Sequence, residues 1–182
     1  WKTAINIMSK SKLPKRRMSS LSLISDKRNL CMGCMNIQDK IFVAGHKGLV
    51  GSAIVSNLQA KGYKNILTQS RDELDLLDHQ AVNNFFQSQK PDVVFIAAAK
   101  VGGIYANNTY RADFIYENLT IQNNVIWSAF KSDCRRLVFL GSSCIYPAKV
   151  SQPMQETALL SSSLEETNRP YALAKIAGLE LI

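Results

Sequence analysis

The sequence has no unbroken apolar run of roughly 18 residues, the length that a membrane-spanning helix needs. We therefore predict no membrane contact. The net charge of +8 is distributed unevenly along the chain. Residues 41–182 hold 13 basic and 12 acidic residues and so carry a net charge of only +1. The remaining +7 lies in residues 1–40. Because no basic stripe crosses residues 41–182, we predict no nucleic-acid partner.

Cysteine and histidine are scarce, at four and two residues. Cys134 and Cys144 lie in sequence patterned as strands and helices, where thiols are usually free. Cys31 and Cys34 form a single Cys-x-x-Cys pair. A zinc site needs a second pair, and neither histidine has the required spacing; a redox pair would open a helix, whereas this one precedes the first predicted strand. The sequence therefore predicts no metal site and no disulfide framework.

Residues 1–39 read as a basic tail, disordered or non-native, and residues 40–182 as one folded domain. The segment from Lys10 to Arg17 is basic, Pro14 interrupts it, and no hydrophobic period follows. Two interpretations stay open: a basic transit segment, since acids are few and serine is common, or upstream sequence without a folded role.

A glycine-rich turn organises the predicted domain. Four apolar residues, Ile41–Ala44, run into Gly45, and Gly48 and Gly51 follow at three-residue steps before a helical pattern opens. A buried strand that ends in such a turn and leads into a helix is typical of dinucleotide-binding domains. We expect Gly45 to permit the tight turn, Gly48 to let the backbone approach a pyrophosphate, and Gly51 to let helix and strand pack closely. A loop in which the glycines only satisfy backbone angles is the alternative.

The rest of the domain alternates nearly continuous apolar segments with segments of helical period. Apolar strands alternating with helices predict an α/β fold with a doubly wound parallel sheet, the Rossmann arrangement. The predicted strands are 41–44, 65–68, 92–97 and 137–140; the predicted helices follow Gly51 and Asp78, span 114–130, and begin near Tyr171.

Three helix signals are specific. Val50, Ile54 and Leu58 should form the buried face of the first helix, and Gly62 should end it. Asp78 should cap the second helix.

The ends of the predicted strands carry the chemistry, because ligands bind beyond the carboxyl ends of parallel strands. After the third strand come residues 97–103, mostly small residues that would let a cofactor lie close, and after the fourth comes Ser142. Tyr171 and Lys175 stand four residues apart on one helix face. A phenol with a pKa near ~10 is a poor acid–base catalyst at neutral pH, and a nearby ammonium should lower that pKa. Tyr-x-x-x-Lys alone more often marks a surface pair, but a strand-end serine and a glycine turn favour catalysis.

Several stretches resemble the extended short-chain dehydrogenase/reductases: AGHKGLVGSAI, RDELDL, AAAKVGGI with ANNTY, LGSSCIYP and PYALAKIAG. The resemblance covers about Lys40 to Ile182, and LGSSCIYP and AAAKVGGI are its most specific motifs. It implies an enzyme that epimerises a GDP-linked 4-keto-6-deoxy sugar at C3 and C5 and then reduces the ketone with NADPH. It also implies a cytoplasmic homodimer whose C-terminal substrate domain would lie beyond Ile182.

The resemblance implies roles for individual residues. Ser142, Tyr171 and Lys175 would form the catalytic triad, and Cys144 would be the acid–base group for epimerisation. The alternative for Cys144 is a small residue that packs beside the sheet. The residues implied to bind the cofactor are Gly45, His46, Lys47, Gly48, Leu49, Val50, Gly51, Arg71, Asp72, Glu73, Leu74, Asp75, Leu76, Leu140, Gly141, Ser142, Ser143 and Lys175.

The end of the second strand favours NADP over NAD. An NAD enzyme usually carries an acid there to bond the ribose 2′-hydroxyl, whereas this chain has Thr68–Arg71. Arg71 and Lys47 could hold a 2′-phosphate. Asp72 adjoins Arg71 and leaves NAD open.

Epimerisation needs a second acid on the opposite face of the sugar, which in the family is a histidine further along. Neither His46 nor His79 can substitute, so we expect this chain alone to be an inactive fragment. Two alternatives stay open: another nucleotide-sugar epimerase or dehydratase, and a non-catalytic NADP-binding module. Cys144 and the lack of an acid beside Ser142 argue against a dehydratase, and the Tyr171/Lys175 pair argues against a binding module.

Overall fold

A computed structural model of the chain describes residues 35–182. The expectations for residues 1–34, including Cys31 and Cys34, lie outside the described residues. We placed residues 35–39 in the tail, but the structure packs them into the domain. Met35 contacts the apolar cluster around Ile41, and Asp39, only 5% exposed, forms an ion pair with Arg135 at 2.6 Å.

Four parallel strands form the sheet: β1 (Ile41–Ala44), β2 (Ile66–Leu67), β3 (Val93–Ile96) and β4 (Arg136–Phe139). Their order is β2-β1-β3-β4, so the chain steps outward from β1 to β2 and then returns to the other side of β1. The adjacent carboxyl ends of β1 and β3 therefore lie where the strand order reverses, the usual ligand position in such sheets.

Helices cover both faces of this sheet, as the doubly wound prediction requires. Alternate residues of β1 point to opposite faces. Phe42 and Ala44 lie in the larger apolar cluster, which includes side chains of helices α2 (His79–Gln89) and α4 (Arg111–Lys131). Ile41 and Val43 lie in a smaller cluster with side chains of helix α1 (Leu49–Ala60). The helices are α1 (Leu49–Ala60), α2 (His79–Gln89), α3 (Ile104–Thr109), α4 (Arg111–Lys131) and α5 (Arg169–Leu181), with short 3₁₀ turns at Ser143–Ile145 and Glu156–Ala158.

Two of the three helix signals are confirmed. The Asp78 carboxylate accepts a hydrogen bond from the Ala81 N–H at 3.0 Å and caps α2. Gly62 follows the end of α1 with a φ of +86°. The prediction for the apolar face of α1 was partly wrong. Ile54 and Leu58 pack toward β1, whereas Val50 is 38% exposed and lines the cleft described below.

The short helix α3 was not predicted. Its Asn107 side chain donates hydrogen bonds to the carbonyls of Gly102 and Gly103, and these bonds stabilise the first turn in place of an apolar stripe. None of the helices in residues 35–182 is long and apolar enough to cross a membrane.

Candidate active site

The glycine turn after β1 has the geometry that its spacing predicts. Gly45 has a φ of +85°, and a Cβ there would lie 2.6 Å from the Ala98 nitrogen. A Cβ on Gly51 would lie 2.1 Å from the Gly45 oxygen. Both glycines are thus required by the protein's own packing, which confirms the tight turn and the close helix–strand contact. A Cβ on Gly48 would meet nothing nearer than 3.4 Å, so its approach to a pyrophosphate stays a prediction.

A cleft of about 720 Å³ opens at the carboxyl ends of β1, β3 and β4. Many of the residues predicted to bind the cofactor line it: Gly45, Gly48, Leu49, Val50, Gly51, Arg71, Leu74, Asp75, Leu76, Leu140, Gly141 and Lys175. The other predicted cofactor residues are not among those that line it: His46, Lys47, Asp72, Glu73, Ser142 and Ser143. The catalytic candidate Tyr171 also lines the cleft.

The mostly small segment after β3 lines the cleft through residues 97–101, as predicted for a strand end that a cofactor approaches. Other parts of the cleft wall were missed. Gln69 and Leu77 come from the β2 side. Glu117 and Ile121 reach the cleft from α4, four residues apart. No local signal identified that face, because its orientation depends on how α4 packs.

At the end of β2, Arg71 extends along the cleft with a side chain that is 73% exposed, 4.0 Å from the Asp75 carboxylate. Glu73 turns back instead, and accepts hydrogen bonds from the Ser70 N–H at 2.7 Å and the Ser70 hydroxyl at 2.8 Å. These bonds lower the pKa of Glu73, with smaller contributions from the charges of Lys47 and His46. Glu73 is therefore engaged within its own turn, and Arg71 presents a cation to the cleft.

The segment after β4 brings Ser142 and Cys144 together. Ser142 begins the 3₁₀ turn Ser143–Ile145, and its Oγ accepts a hydrogen bond from the Cys144 N–H at 3.3 Å. Just before this turn, the main-chain carbonyl of Leu140 accepts a hydrogen bond from the Lys175 Nζ at 2.9 Å. The strand end and the predicted catalytic helix are thus directly bonded.

Lys175 is only 4% exposed, and its Nζ lies 4.4 Å from the centre of the Phe139 ring. Burial lowers the pKa of Lys175 to about 8. Burial, and to a lesser extent the negative charge of a Cys144 thiolate, raise the pKa of Tyr171. This is opposite to the expectation that a nearby ammonium would lower the Tyr171 pKa. The reason is geometric, because the Lys175 ammonium bonds Leu140 and lies 5.8 Å from the Tyr171 ring centre.

Two residues that hold α5 in place were also missed. The Gln122 side-chain amide is buried and donates to the Ala174 carbonyl at 2.6 Å. A Cβ on Gly178 would lie 2.7 Å from Cζ of Phe139 and 2.8 Å from Oε1 of Gln122. The absence of a side chain at Gly178 therefore leaves room for the Gln122 side chain of α4 to pack against α5. Positions 122 and 174 are 52 residues apart, so no local pattern could pair them.

Cys144 lies in a second pocket, of about 300 Å³. Ser143, Glu165 and Asn168 are among its other lining residues. The Glu165 carboxylate accepts hydrogen bonds from the main chain and side chains of Thr167 and Asn168, which lowers its pKa and orders the start of α5. The candidate for epimerisation thus stands beside the cleft that Tyr171 lines.

Both cysteines in the described part of the chain are free, as predicted: Cys134 is buried and Cys144 is half-buried. The Cys134 Sγ contacts the carbonyls of Asp92 and Arg136, and burial raises its pKa to about 11, so this thiol serves packing. Within residues 35–182, no group of three or more His, Cys, Asp or Glu side chains is arranged to hold a metal.

The model of the NAD dependent epimerase/dehydratase family matches residues 41–182. Over 144 residues the chain is 55% identical to GDP-L-fucose synthase of Escherichia coli K12, and the match covers 79% of this chain and 45% of that protein. Over 141 residues it is 59% identical to GDP-L-fucose synthase 1 of Arabidopsis thaliana, and this match covers 78% of this chain and 44% of that protein. The chain thus spans less than half the length of these relatives.

Among solved structures, the chain is similar to MlghC, a GDP-mannoheptose C4 reductase from Campylobacter jejuni with NADP bound. The two are 46% identical with a TM-score of 0.77, and the match covers 80% of this chain and 46% of the reductase. The fold of this chain is thus shared with a nucleotide-sugar reductase of known structure.

Proposed function

The chain belongs to the NAD dependent epimerase/dehydratase family, and we propose that the whole protein is a GDP-L-fucose synthase. It would convert GDP-4-keto-6-deoxy-D-mannose to GDP-L-fucose by 3,5-epimerisation and NADPH-dependent 4-keto reduction. The observation that carries the proposal is one arrangement. Tyr171 and Lys175 line the cleft beside the glycine turn, and the Ser142–Cys144 segment begins two residues after the Leu140 carbonyl that Lys175 bonds.

The cleft suits NADP. A Cβ on Gly48 would meet nothing nearer than 3.4 Å, which leaves the backbone of the turn room for a phosphate, and α1 presents unpaired N–H groups and a positive dipole end beside it. Arg71 offers a guanidinium for a 2′-phosphate, and Glu73 is engaged with Ser70 rather than free for a ribose hydroxyl. Asp72 is not among the residues that line the cleft. When bound, NADPH supplies the hydride that reduces the ketone.

Reduction needs a proton at the C4 oxygen, and Tyr171 supplies it. The raised pKa of Tyr171 keeps the phenol protonated at neutral pH, so it can act as the acid. Lys175 lines the same cleft, where we assign it to contact the bound cofactor. The Ser142 Oγ accepts a hydrogen bond from the Cys144 N–H, so its own O–H is available to donate to the carbonyl being reduced.

Epimerisation needs acid–base groups next to the ketone, which acidifies the protons at C3 and C5. Cys144 can remove one such proton as the thiolate or return one as the thiol, from one face of the sugar only, and it lines an open pocket. Within the described residues, His79 contacts Asn124 and His46 lies in the glycine turn, so neither faces this pocket. We assign the second acid to a histidine in a part of the protein outside this chain.

We further propose a cytoplasmic homodimer, in which residues 35–182 form the cofactor-binding domain and residues before Met35 a dispensable tail. We assign the dimer contact to the exposed apolar side chains on α4 and α5. These side chains are Tyr116, Trp127, Phe130, Leu173 and Leu181.

The test incubates the whole protein with GDP-4-keto-6-deoxy-D-mannose and NADPH in D₂O. We expect NADPH oxidation, GDP-L-fucose as product, and deuterium at C3 and C5. Reduction without deuterium at these carbons would instead identify a C4 reductase. Binding of NADPH without turnover would identify a non-catalytic module, and preference for another nucleotide sugar would identify another epimerase of the fold.

A further inference from the structure

An ion pair lies inside the cofactor cleft. The Lys100 ammonium contacts the Glu117 carboxylate, and both residues line the cleft. Their side chains are partly buried, 31% and 25% exposed, so the pair is shielded from solvent more than an ordinary surface pair. The Phe114 ring centre lies 5.8 Å from the ammonium. These contacts hold the cation at the cleft wall.

The Lys100 backbone is fixed to α4 by one buried side chain. The Asn118 Oδ1 accepts from the Lys100 N–H at 2.9 Å, and the Asn118 Nδ2 donates to the Lys100 carbonyl at 3.0 Å. Asn118 is 3% exposed and also donates to the Phe114 carbonyl. The main chain of Lys100 is therefore set, and only its flexible side chain can redirect the charge.

The position of Lys100 matches the position expected for a phosphate. Lys100 follows Ala98 by two residues, and Ala98 is the residue that a Cβ on Gly45 would strike. The end of β3 and the phosphate-binding turn are therefore in contact. Of the other cations lining the cleft, Arg71 lies at the β2 edge and the Lys175 ammonium is bonded to Leu140. Among the three cations of the described residues that line the cleft, Lys100 is therefore the one on the segment that contacts the glycine turn.

We propose that Lys100 is a phosphate-binding residue of the cleft, and that Glu117 holds its ammonium until a dinucleotide pyrophosphate replaces the carboxylate as its partner. Glu117 then lowers the affinity for the dinucleotide, because each binding event must break the ion pair and bring two like-charged groups into one cleft. This inference rests on the proposed function, since it takes NADPH as the ligand. An ion pair that only stabilises the fold would not produce this competition.

The test measures NADPH affinity of the whole protein and of two variants. Lys100→Met keeps the apolar stem and removes the cation, and should weaken binding of NADPH and of ADP-ribose by roughly 10-fold or more. It should not change competition by adenosine 2′-monophosphate, which has no pyrophosphate. Glu117→Gln should tighten NADPH binding by about 3-fold or more. The matched controls are Lys61→Met and Glu180→Gln, which remove the same charges at exposed positions outside the cleft and should bind as wild type.

Opposite effects of the two variants support the inference. If Lys100→Met binds NADPH like wild type, or if Glu117→Gln weakens binding as Lys100→Met does, the inference is overturned while the proposed function stands. If the wild-type protein binds no nicotinamide dinucleotide, the inference and the proposed function are both contradicted. Melting temperatures accompany every measurement, and if Lys100→Met does not fold, the direction of the Glu117→Gln change decides alone.

Discussion

The Lys175 ammonium donates a hydrogen bond to the main-chain carbonyl of Leu140 at 2.9 Å, and so joins α5 to the end of β4. This bond replaces only part of the water that the ammonium loses on burial. The charged form of Lys175 is consequently disfavoured, and its pKa falls to about 8. The residue that we assign to catalysis therefore costs stability, as is common at active sites.

This cost predicts a pH dependence of stability. In the unfolded chain Lys175 keeps its ordinary pKa of 10.5, so between pH 8 and 10.5 the unfolded state binds more protons and stability rises with pH. From pH 8 to 9 the gain is about 1 kcal/mol. We expect urea titrations to show this gain in the wild type relative to Lys175→Met, which has no ammonium to lose.

The comparison with Lys175→Met is needed because Cys134 acts in the opposite direction. Burial raises the pKa of its thiol from 9.0 to about 11, so stability is lost as pH rises through that range. Both proteins carry Cys134, and its contribution cancels in the difference. A wild-type minus Lys175→Met difference that stays constant from pH 8 to 9 would contradict the lowered pKa of Lys175.

Gly178→Ala should disturb the same helix by overpacking. The added methyl group would lie 2.7 Å from the Phe139 ring and 2.8 Å from the Gln122 amide oxygen, so α5 must shift. We expect a loss of about 1–3 kcal/mol in unfolding free energy. We also expect a lower kcat with little change in NADPH affinity, because Tyr171 and Lys175 move with the helix. Gly103→Ala makes the same change where the methyl group meets nothing within 4 Å, and should leave kcat unaltered.

Much of the fold follows from local sequence. The apolar run Ile41–Ala44 and the Asp78 cap each act within a few residues, so their structures match the predictions. The short helix α3 was not predicted, because its start depends on hydrogen bonds from Asn107 to glycine carbonyls rather than on an apolar period. The Asp39–Arg135 ion pair was not predicted because its two partners are 96 residues apart in the sequence.

The candidate site likewise combines features that follow from local sequence with features that depend on distant packing. The glycine turn and the Tyr171/Lys175 spacing are local patterns, and the structure brings them to one cleft. The partners that decide protonation are not local. The Leu140 carbonyl that holds Lys175 is 35 residues away, and the burial that raises the pKa of Tyr171 also depends on the packing of distant segments. Spacing thus identified the chemical groups, and packing determined their pKa values.

Arg71→Ala tests the choice of cofactor. We expect the wild-type protein to bind NADPH more tightly than NADH, because Arg71 can pair with the 2′-phosphate. The variant should lose most of that difference and leave NADH affinity nearly unchanged. Fluorescence titration with both dinucleotides measures it, and Lys61→Ala serves as the control for loss of an exposed cation. Equal wild-type affinities for the two dinucleotides would exclude a 2′-phosphate site.

Tyr171→Phe should remove the proton donor for reduction and little else. The phenol is half-buried and lines the cleft, so the missing hydroxyl should not alter the fold. We expect the rate of NADPH oxidation to fall by roughly 10²–10⁴-fold, the usual contribution of one general acid, with NADPH affinity retained. A variant that reduces the substrate at the wild-type rate would show that another group protonates the C4 oxygen.

Cys144→Ser separates the two chemical steps. The hydroxyl nearly matches the thiol in size but is a far weaker acid, so proton exchange next to the ketone should slow while hydride transfer stays chemically possible. The turn should persist, because the bond between the Cys144 N–H and the Ser142 Oγ involves only the main chain of residue 144. The measurement follows deuterium incorporation at C3 and C5 in D₂O beside NADPH oxidation. We expect exchange to fall much more than oxidation, with reduction of the unepimerised sugar as the remaining reaction. Cys134→Ser, at the thiol that packs against the Asp92 carbonyl, should lower stability without changing the ratio of exchange to oxidation. If Cys144→Ser exchanges at the wild-type rate, Cys144 serves packing, and the assignment retreats to a generic extended short-chain reductase.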